Sequence, residues 1–323
     1  MTELTGKTIL VGVSGGIAAY KAADLTSKLV QAGARVRVIL TRHGAEFVTP
    51  VTFQALSGNP VYTETFAAPE TYGMGHLSLA DGADALVVAP ATANLLAKAA
   101  AGLADDLLST TLLSVTCPVL LAPAMNPAMW GQPATQRNVA QLRADGRHFV
   151  GPDSGWLACR DTGKGRMASV PDIFWALRRL LHQPQDLAGR RVLITAGPTR
   201  EHLDPVRFIS NPSSGKQGYA LAEAALLRGA EVALVSGPTS LTPPPGCELI
   251  GVTSASDMAD AVLCRCQAMD IVIGVAAVGD FTPAHPSAEK LPKSAHLSLD
   301  LAPTTDIIAA VAARRRPGQV IVG

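Results

Sequence analysis

Residues 8–16 read Thr8-Ile9-Leu10-Val11-Gly12-Val13-Ser14-Gly15-Gly16, and this stretch decides the fold. Its first six residues form an apolar, β-branched run, as expected of a strand buried on both faces. Ser14, Gly15 and Gly16 break the run. Residues 17–32 then read as a helix, which Gly33 closes. Arg35–Leu40 (RVRVIL) is the next strand and completes a βαβ unit. Residues 85–89 (ALVVA) and 118–121 repeat the strand signal. Helical patterns fit Ala93–Ala101, residues 105–114 and residues 135–145. Strands alternating with helices predict a parallel sheet covered on both faces.

The pattern starts again further on. His182-Gln183-Pro184-Gln185-Asp186 is a polar, proline-bearing linker. Strands follow at residues 191–195 (RVLIT), Glu231–Ser236 and residues 270–274, with helices at residues 215–228 and 256–268. GKTILVGVSGG and GRRVLITAGPT run parallel without being a sequence repeat. The expected class is α/β, with two consecutive Rossmann-like doubly wound domains. Their predicted bounds are residues 1–181 and 190–323, with residues 182–189 between them. The strand-like residues 319–323 end the chain and predict that the second domain is C-terminally incomplete.

Composition narrows the classes of function. Of 323 residues, 48% are hydrophobic and 16% charged, enough apolar material for two cores. A net charge of +1 gives no global field for nucleic acid or an anionic membrane. Five cysteines at 117, 159, 247, 264 and 266 lack zinc-site spacing and fit free thiols in a reducing cytoplasm. The start, MTELTGKTILVGVSGG, lacks a signal-peptide cleavage site. No apolar run free of glycine, proline and charge reaches the ~18 residues of a membrane span.

The loops carry the chemistry. Ser14, Gly15, Gly16 and Ile17 form a strand-to-helix turn whose backbone N–H groups suit an anion. The dinucleotide fingerprint is absent, and the second strand ends at Thr41-Arg42 without a ribose-binding acid. One phosphate fits better than a dinucleotide, and a plain βα turn is the alternative. Pro90, Ala91, Thr92, Ala93 and Asn94 form a second such turn, with Thr92 as helix cap. His76 follows a glycine-rich stretch and has the chemistry of a general base, with a structural histidine as the alternative reading. Asn126, in PAMNPAMW, offers a donor and an acceptor to a carboxylate or amide, beside Met125, Met129 and Trp130. Residues 151–169 (GPDSGWLACRDTGKGRMAS) read as a long binding loop, with Cys159 among Arg160, Lys164 and Arg166.

SGGIAAYKA, GHLSLA, APATANLLAKAAAGLADDLLST, PAMNPAMW and the LAC…GKGRM stretch together resemble phosphopantothenoylcysteine decarboxylase. That family belongs to the homo-oligomeric flavin-containing cysteine decarboxylases, and the match covers nearly all of the first half. The resemblance implies a flavodoxin-like, flavoprotein-type first domain. It implies FMN at Ser14, Gly15, Gly16, Ile17, Thr41, the turn from Pro90 to Asn94, and Ser109. His76 is then the base that assists substrate oxidation. Asn126, Met125 and Met129 hold the cysteine carboxylate end, and Cys159 protonates the enethiol. Oxidising the substrate CH–SH to a thioaldehyde creates the electron sink that lets CO₂ leave, and the flavin supplies that chemistry. One departure stands out. The family reads A-C-G where this chain has Ala158-Cys159-Arg160.

In the second half, Gly197 lies in TAGPTRE, and Ser213, Ser214 and Gly215 precede a helix as a phosphate cradle or, equally, as an ordinary capped helix. The Walker A pattern is absent. With Asp280 and the lysines Lys290 and Lys293, this half resembles phosphopantothenate–cysteine ligase. The resemblance implies CTP, Mg²⁺ and an acyl-cytidylate handled by Asn211 and Arg207. It gives Asp280, Lys290 and Asp306 to the nucleotide, with Asp280 near the metal. Pro212, K-L-P-K and Thr304-Thr305-Asp306-Ile307 depart from the ligase pattern.

The implied function is a bifunctional enzyme of coenzyme A biosynthesis in the cytoplasm. It joins cysteine to 4'-phosphopantothenate with CTP, then decarboxylates the product to 4'-phosphopantetheine. The implied assembly is a homo-oligomer, with decarboxylase trimers built into a dodecamer. The alternatives are a decarboxylase with a silent ligase half, a flavin-binding regulatory subunit and an NAD(P)-dependent dehydrogenase. The missing ribose acid speaks against the dehydrogenase.

Overall fold

A computed structural model of the chain describes residues 4–64, 79–158, 160–293 and 297–323. They form two compact units, Met1–Leu181 and His182–Gly323.

In the first unit the strands are β1 (Thr8–Val13), β2 (Arg35–Leu40), β3 (Val61–Tyr62), β4 (Ala85–Ala91), β5 (Val119–Pro123) and β6 (His148–Phe149). They make one six-stranded sheet of order β3-β2-β1-β4-β5-β6, and every pairing is parallel. The apolar run of β1 still alternates. Ile9, Val11 and Val13 pack with Leu25, Leu29, Ile173 and Leu177, which belong to helices Ala19–Gln31 and Val170–Leu181. Leu10 faces the opposite side, where Leu95, Leu108, Leu112 and Val139 cover the sheet from helices Ala93–Ala101, Leu107–Ser114 and Pro133–Ala144. Each such fully buried side chain stabilises the fold by about 1.5–3 kcal/mol. Gly12 lets helix Leu107–Ser114 approach, because a Cβ there would lie 2.6 Å from Leu108 Cδ1.

Residues 151–169, expected to be a loop, contain an antiparallel hairpin of β7 (Asp153–Trp156) and β8 (Thr162–Arg166). Its strands are rich in glycine and charge, so neither apolar run nor alternation announces them. Its turn is closed by Leu157 N–H to Asp161 O at 2.9 Å and Arg160 N–H to Leu157 O at 3.0 Å. Arg160 has φ +64°, the only non-glycine residue with positive φ among the described residues. That conformation costs a residue with a Cβ about 1–2 kcal/mol, which gives a physical reason for glycine at this place in the resembling family.

The second unit repeats the plan. β9 (Arg191–Ala196), β12 (Glu231–Ser236), β13 (Glu248–Gly251), β14 (Ile271–Gly274) and β17 (Val320–Val322) form a parallel sheet of order β13-β12-β9-β14-β17. Helix Ala255–Arg265 and helix Ile307–Ala312 share one core with Leu193, Val235 and Val272. Two short antiparallel ribbons are added after β9 and β14. One pairs β10 (Arg200–His202) with β11 (Phe208–Ser210), the other β15 (Phe281–Pro283) with β16 (Leu301–Pro303). Three-residue strands are too short for a periodic signal, so the sequence shows them only as loops. No helix among the described residues is long and apolar enough to cross a membrane.

Asp84 anchors the start of β1. Its carboxylate accepts from Thr8 N–H at 2.8 Å and from Lys7 Nζ at 2.9 Å. Burial pushes its pKa up, but these donors outweigh burial and hold the carboxyl below its ordinary value. A depressed pKa means that the stabilisation is complete above the unfolded-state value and is lost as pH falls through the folded one. All three tryptophans (Trp130, Trp156 and Trp175) lie in the first unit, so their fluorescence reports its unfolding separately. Asp84→Asn is expected to lower the stability of this unit at pH 7 by about 1–2 kcal/mol. In urea titrations followed by tryptophan fluorescence, the deficit should shrink as pH falls through the depressed pKa of the Asp84 carboxyl.

Candidate functional site

In the first sheet the strand order reverses between β1 and β4, and the crevice beyond the carboxyl ends of such strands is where doubly wound folds bind ligands. Ser14 ties the two ends together. Its Oγ donates to Pro90 O at 2.8 Å, lies 3.1 Å from Thr92 Oγ1, and accepts from Thr92 N–H at 3.1 Å. Thr41 fixes the end of β2 by donating to Val13 O at 3.2 Å and accepting from Gly44 N–H at 3.1 Å. Gly15 is required for that junction, since a Cβ there would sit 2.4 Å from His43 Cβ. Gly16 differs. A Cβ would meet nothing closer than Thr92 Cγ2 at 3.6 Å, so the space beside it is open. No side chain caps helix Ala19–Gln31, which follows the turn; Ala19 N–H donates to Gly16 O at 2.9 Å and Lys21 N–H to Ala18 O at 3.0 Å, so it is the turn's own N–H groups that are offered to an anion. Thr92 caps the opposing helix through Leu95 N–H at 3.4 Å.

The far wall comes from the Met125-Asn126 segment and the hairpin. Met125 N–H donates to Gly165 O at 3.0 Å. Gly165, at φ +152°, would place a Cβ 2.3 Å from Met125 O, and Gly163 would place one 2.8 Å from Pro127 Cγ. The Gly-Lys-Gly sequence is therefore a packing requirement that lets the hairpin lie against this segment. Asn126 caps helix Pro127–Gly131 by accepting from Met129 N–H at 2.7 Å, and its Nδ2 has no partner among the described residues.

These walls enclose a cleft of about 690 Å³ that brings together Ser14, Gly15, Gly16, Ile17, Thr41, Thr92, Ala93, Asn94, Met125, Asn126 and Met129. Pro90, Ala91 and Ser109 were also expected to touch a cofactor but lie outside the lining. Pro90 contributes its carbonyl to Ser14 and Ala91 is buried in the core. Ser109 is 1% exposed, and its hydroxyl closes a capping box with Asp106. His76 and Cys159 lie outside the described residues. Tyr20, Lys21, His43, Lys98 and Trp156 line the cleft without having been singled out from the sequence, and Arg166 of the hairpin lines it with them. Trp156 is 64% exposed and Tyr20 61%, an apolar rim of a kind that suits a planar ring. Lys21 donates to Met167 O at 3.2 Å. Burial, then the neighbouring Arg166, lower its pKa against the opposing pull of Asp153. Lys98 is bound by Asp105 at 2.6 Å and Asp106 at 2.9 Å. The Asp105 contact leads in raising its pKa.

The second sheet reverses order between β9 and β14, and threonines tie those ends. Thr195 Oγ1 accepts from Val275 N–H and Ala276 N–H, both at 3.1 Å, and Thr199 Oγ1 accepts from Gly279 N–H at 2.9 Å. A cavity of about 470 Å³ beside them is lined by Arg200, Ser213, Ser214, Lys216, Thr239 and Ser240, among others. Two cations and four hydroxyls at a helix start suit an oxyanion. Gly215 carries the turn into helix Lys216–Leu227 at φ +73°.

The remaining expected residues of this half are placed elsewhere. Arg207 donates to Leu291 O at 2.5 Å, beside the buried Asp204 that also accepts from Leu291 N–H at 3.1 Å; it braces the loop that follows Lys290. Asn211 Nδ2 donates to Ala277 O and Val278 O at 3.3 Å. Asp306 caps helix Ile307–Ala312 through Ala309 N–H at 2.9 Å. Asp280 and Lys290 are exposed, and Gly197 is buried beside Gly215. No cluster of three or more His, Cys, Asp or Glu side chains is assembled among the described residues.

Two family models match. The flavoprotein family covers residues 1–182, and the DNA/pantothenate metabolism flavoprotein C-terminal domain covers residues 187–323. The coenzyme A biosynthesis bifunctional protein CoaBC of Bacillus subtilis (strain 168) is 49% identical over 99% of this chain and 80% of its own length. That of Vibrio vulnificus (strain YJ016) is 47% identical over 100% of this chain and 81% of its own. Among solved structures, a PPC decarboxylase variant complexed with pantothenoylaminoethenethiol is 31% identical. It covers 53% of this chain and 96% of its own, with a TM-score of 0.49. With both family models matched in order and close to half of all residues identical across the whole chain, this protein belongs to the CoaBC family of bifunctional coenzyme A biosynthesis proteins.

Proposed function

We propose that the first unit is an FMN-dependent decarboxylase of 4'-phosphopantothenoylcysteine and the second a CTP-dependent ligase that makes this compound from 4'-phosphopantothenate and cysteine. The observation that carries the decarboxylase reading is the single cleft that joins the Ser14–Gly16 turn, the Thr92–Asn94 turn and the Asn126 segment. The residues fit FMN. An uncapped helix start and an open Gly16 accept one phosphate, and the apolar rim accepts a ring. Ser14, Gly15, Gly16, Ile17, Thr41 and the turn from Thr92 to Asn94 hold the cofactor, and Ser109 and Pro90 support that shell from behind. FMN supplies two-electron oxidation and reduction at the substrate's cysteine carbon.

The chain's own groups bind, orient and move protons. The Asn126 side-chain amide donates to the substrate carboxylate, with its Oδ1 fixed by Met129 N–H so that the donor is preoriented. Met125 and Met129 wall the same end. His76 takes the proton as general base, and Cys159 returns one to the enethiol. In the second unit Ser213, Ser214 and Gly215, with Lys216 and Arg200, receive the nucleotide phosphates. Asn211 and Arg207 order the acyl-cytidylate region, and Lys290 and Asp280 meet the nucleotide. Mg²⁺ bound by phosphates and one carboxylate such as Asp280 needs no cluster of protein ligands. The protein works in the cytoplasm as a trimer-based homo-oligomer.

Gly16→Asp tests the cradle. The fold has room for the side chain, but the new carboxylate occupies the anion position. The variant should keep the far-UV circular dichroism of wild-type protein and lose the flavin bands that wild-type protein shows and releases as FMN on denaturation. Cys159→Ser should still evolve CO₂ but release an oxidised enethiol; normal yields of reduced product would remove the proton-donor role. Full-length protein should convert CTP to CMP and pyrophosphate only with both cysteine and 4'-phosphopantothenate. Absence of that turnover, with decarboxylation intact, would leave the first activity alone.

A further inference from the structure

Thr239 lies on none of the motifs that mark the second unit, yet three of its loops meet on it. It belongs to the segment after β12 and lines the 470 Å³ cavity with Ser213, Ser214 and Arg200. Gly197, from the turn after β9, and Gly215, at the start of helix Lys216–Leu227, both have φ +73°. A Cβ on either would lie 2.8 Å from the same atom, Thr239 Cγ2. Both glycines are therefore needed for their backbone and for the approach of this methyl. A Cβ on Gly215 would also come within 3.2 Å of the Gly197 backbone, so the three segments form one contact.

The hydroxyl of Thr239 is held from below. It donates to Tyr219 Oη at 3.1 Å, Tyr219 donates to Ser236 Oγ at 3.2 Å, and Ser236 donates to Gly237 O at 2.8 Å. Tyr219 is 8% exposed and Ser236 4%, so this relay is largely shielded from water and its geometry is stiff. Tyr219 stands on the first turn of the helix that Ser213, Ser214 and Gly215 lead into. The relay thus fixes the segment after β12 to the helix that presents the oxyanion cradle. Leu241 N–H turns back onto Thr239 Oγ1 at 3.4 Å, which orders the segment beyond it.

We propose that Thr239, locked by Tyr219, is a positioning residue for phosphate binding in the second unit. It sets the spacing between the Gly197 turn, the Ser213–Gly215 turn and Ser240, so that their amides and hydroxyls converge on one oxyanion before it arrives. The inference rests on the ligase reading of this cavity. Its thermodynamic content is preorganisation: the loops are ordered at folding rather than at binding. Thr239 itself spends its hydroxyl on Tyr219, and the contacts to phosphate fall to its neighbours.

The test is a double-mutant cycle on the full chain, with inorganic tripolyphosphate and CTP, each with Mg²⁺, as titrants in calorimetry. Thr239→Val keeps the shape and removes the hydroxyl; Tyr219→Phe removes its partner. Each should weaken both titrants about tenfold. The double variant should be no weaker than either single one, because the two changes break one interaction. Thr239→Ser, which keeps the hydroxyl but gives up the methyl packed against Gly197 and Gly215, should fall between wild type and Thr239→Val. Flavin absorbance and tryptophan fluorescence, both reporters of the first unit, should not change. Wild-type affinity in Thr239→Val, additive losses in the double variant, or a Ser variant as weak as the Val variant would each overturn the inference. If wild-type protein bound neither titrant, the phosphate reading of the cavity would fall, and the positioning role with it.

Discussion

The first unit depends on one hydroxyl. Ser14 stands where the sheet reverses its order, with β1 on one side and β4 on the other. Its Oγ joins Pro90 O, Thr92 Oγ1 and Thr92 N–H. Each bond contributes on the order of 1 kcal/mol to stability, but their larger effect is geometric. They fix the distance between two turns whose backbones form the floor of the cleft. Everything above that floor is placed against it. Gly15 seats the turn on His43, Thr41 ties β2 to Val13, and the hairpin closes over Met125 through Gly165. A ligand that spans the cleft meets a spacing already set at folding, which is the condition for tight and oriented binding.

The second unit solves the same problem with other residues. Thr195 and Thr199 reach across from β9 to the segment after β14, where Ser14 reached from β1 to the segment after β4. In both sheets a hydroxyl residue after or within the first strand accepts amide protons from the segment that follows the strand across the reversal. The shared constraint is topological. A parallel sheet leaves the ends of its strands unpaired at the reversal, and those amides and carbonyls need partners. Side-chain oxygens supply them while leaving the helix starts beyond open to anions. The faint parallel between GKTILVGVSGG and GRRVLITAGPT is the sequence trace of that common demand.

What the sequence made legible follows from signal strength. The strands β1, β2, β9 and β12 are six-residue stretches dominated by buried apolar side chains, and each expected end lies within a residue of the observed one. The helices kept their positions, and some shortened at their ends, because residues such as Asp106 and Gly215 are caps outside the first turn. The hairpin β7–β8 and the two ribbons were invisible, since Thr162-Gly163-Lys164-Gly165-Arg166 owes its strand form to contact with Met125 and Pro127 rather than to its own propensity. In the cleft, the glycine turn, Thr92 and Asn126 were recognisable from the sequence, whereas Lys21, Tyr20 and Trp156 were not. Charged and aromatic residues on an exposed helix face or hairpin carry no mark of direction, so only the packed fold shows which of them look into a cleft.

Residues to which one resemblance points are not one functional class. Ser109, Arg207 and Asp306 were expected at the sites together with Ser14 and Asn126, yet their polar atoms are bound within the chain. Ser109 completes a helix cap, Arg207 braces the loop after Lys290, and Asp306 caps a helix. A ligand would have to displace those bonds, at a cost of about 1 kcal/mol or more each. Among the described residues the Gly16 N–H and the Asn126 Nδ2 carry no such obligation, and Ser213 carries only a long one, to Gly215 N–H at 3.3 Å. The distinction assigns the work physically: saturated groups hold distances, and unsaturated ones beside an open volume meet the substrate. Thr239 shows that the first class extends beyond recognisable motifs, because a residue that spends its hydroxyl inside the fold leaves its signature in the glycines packed against it.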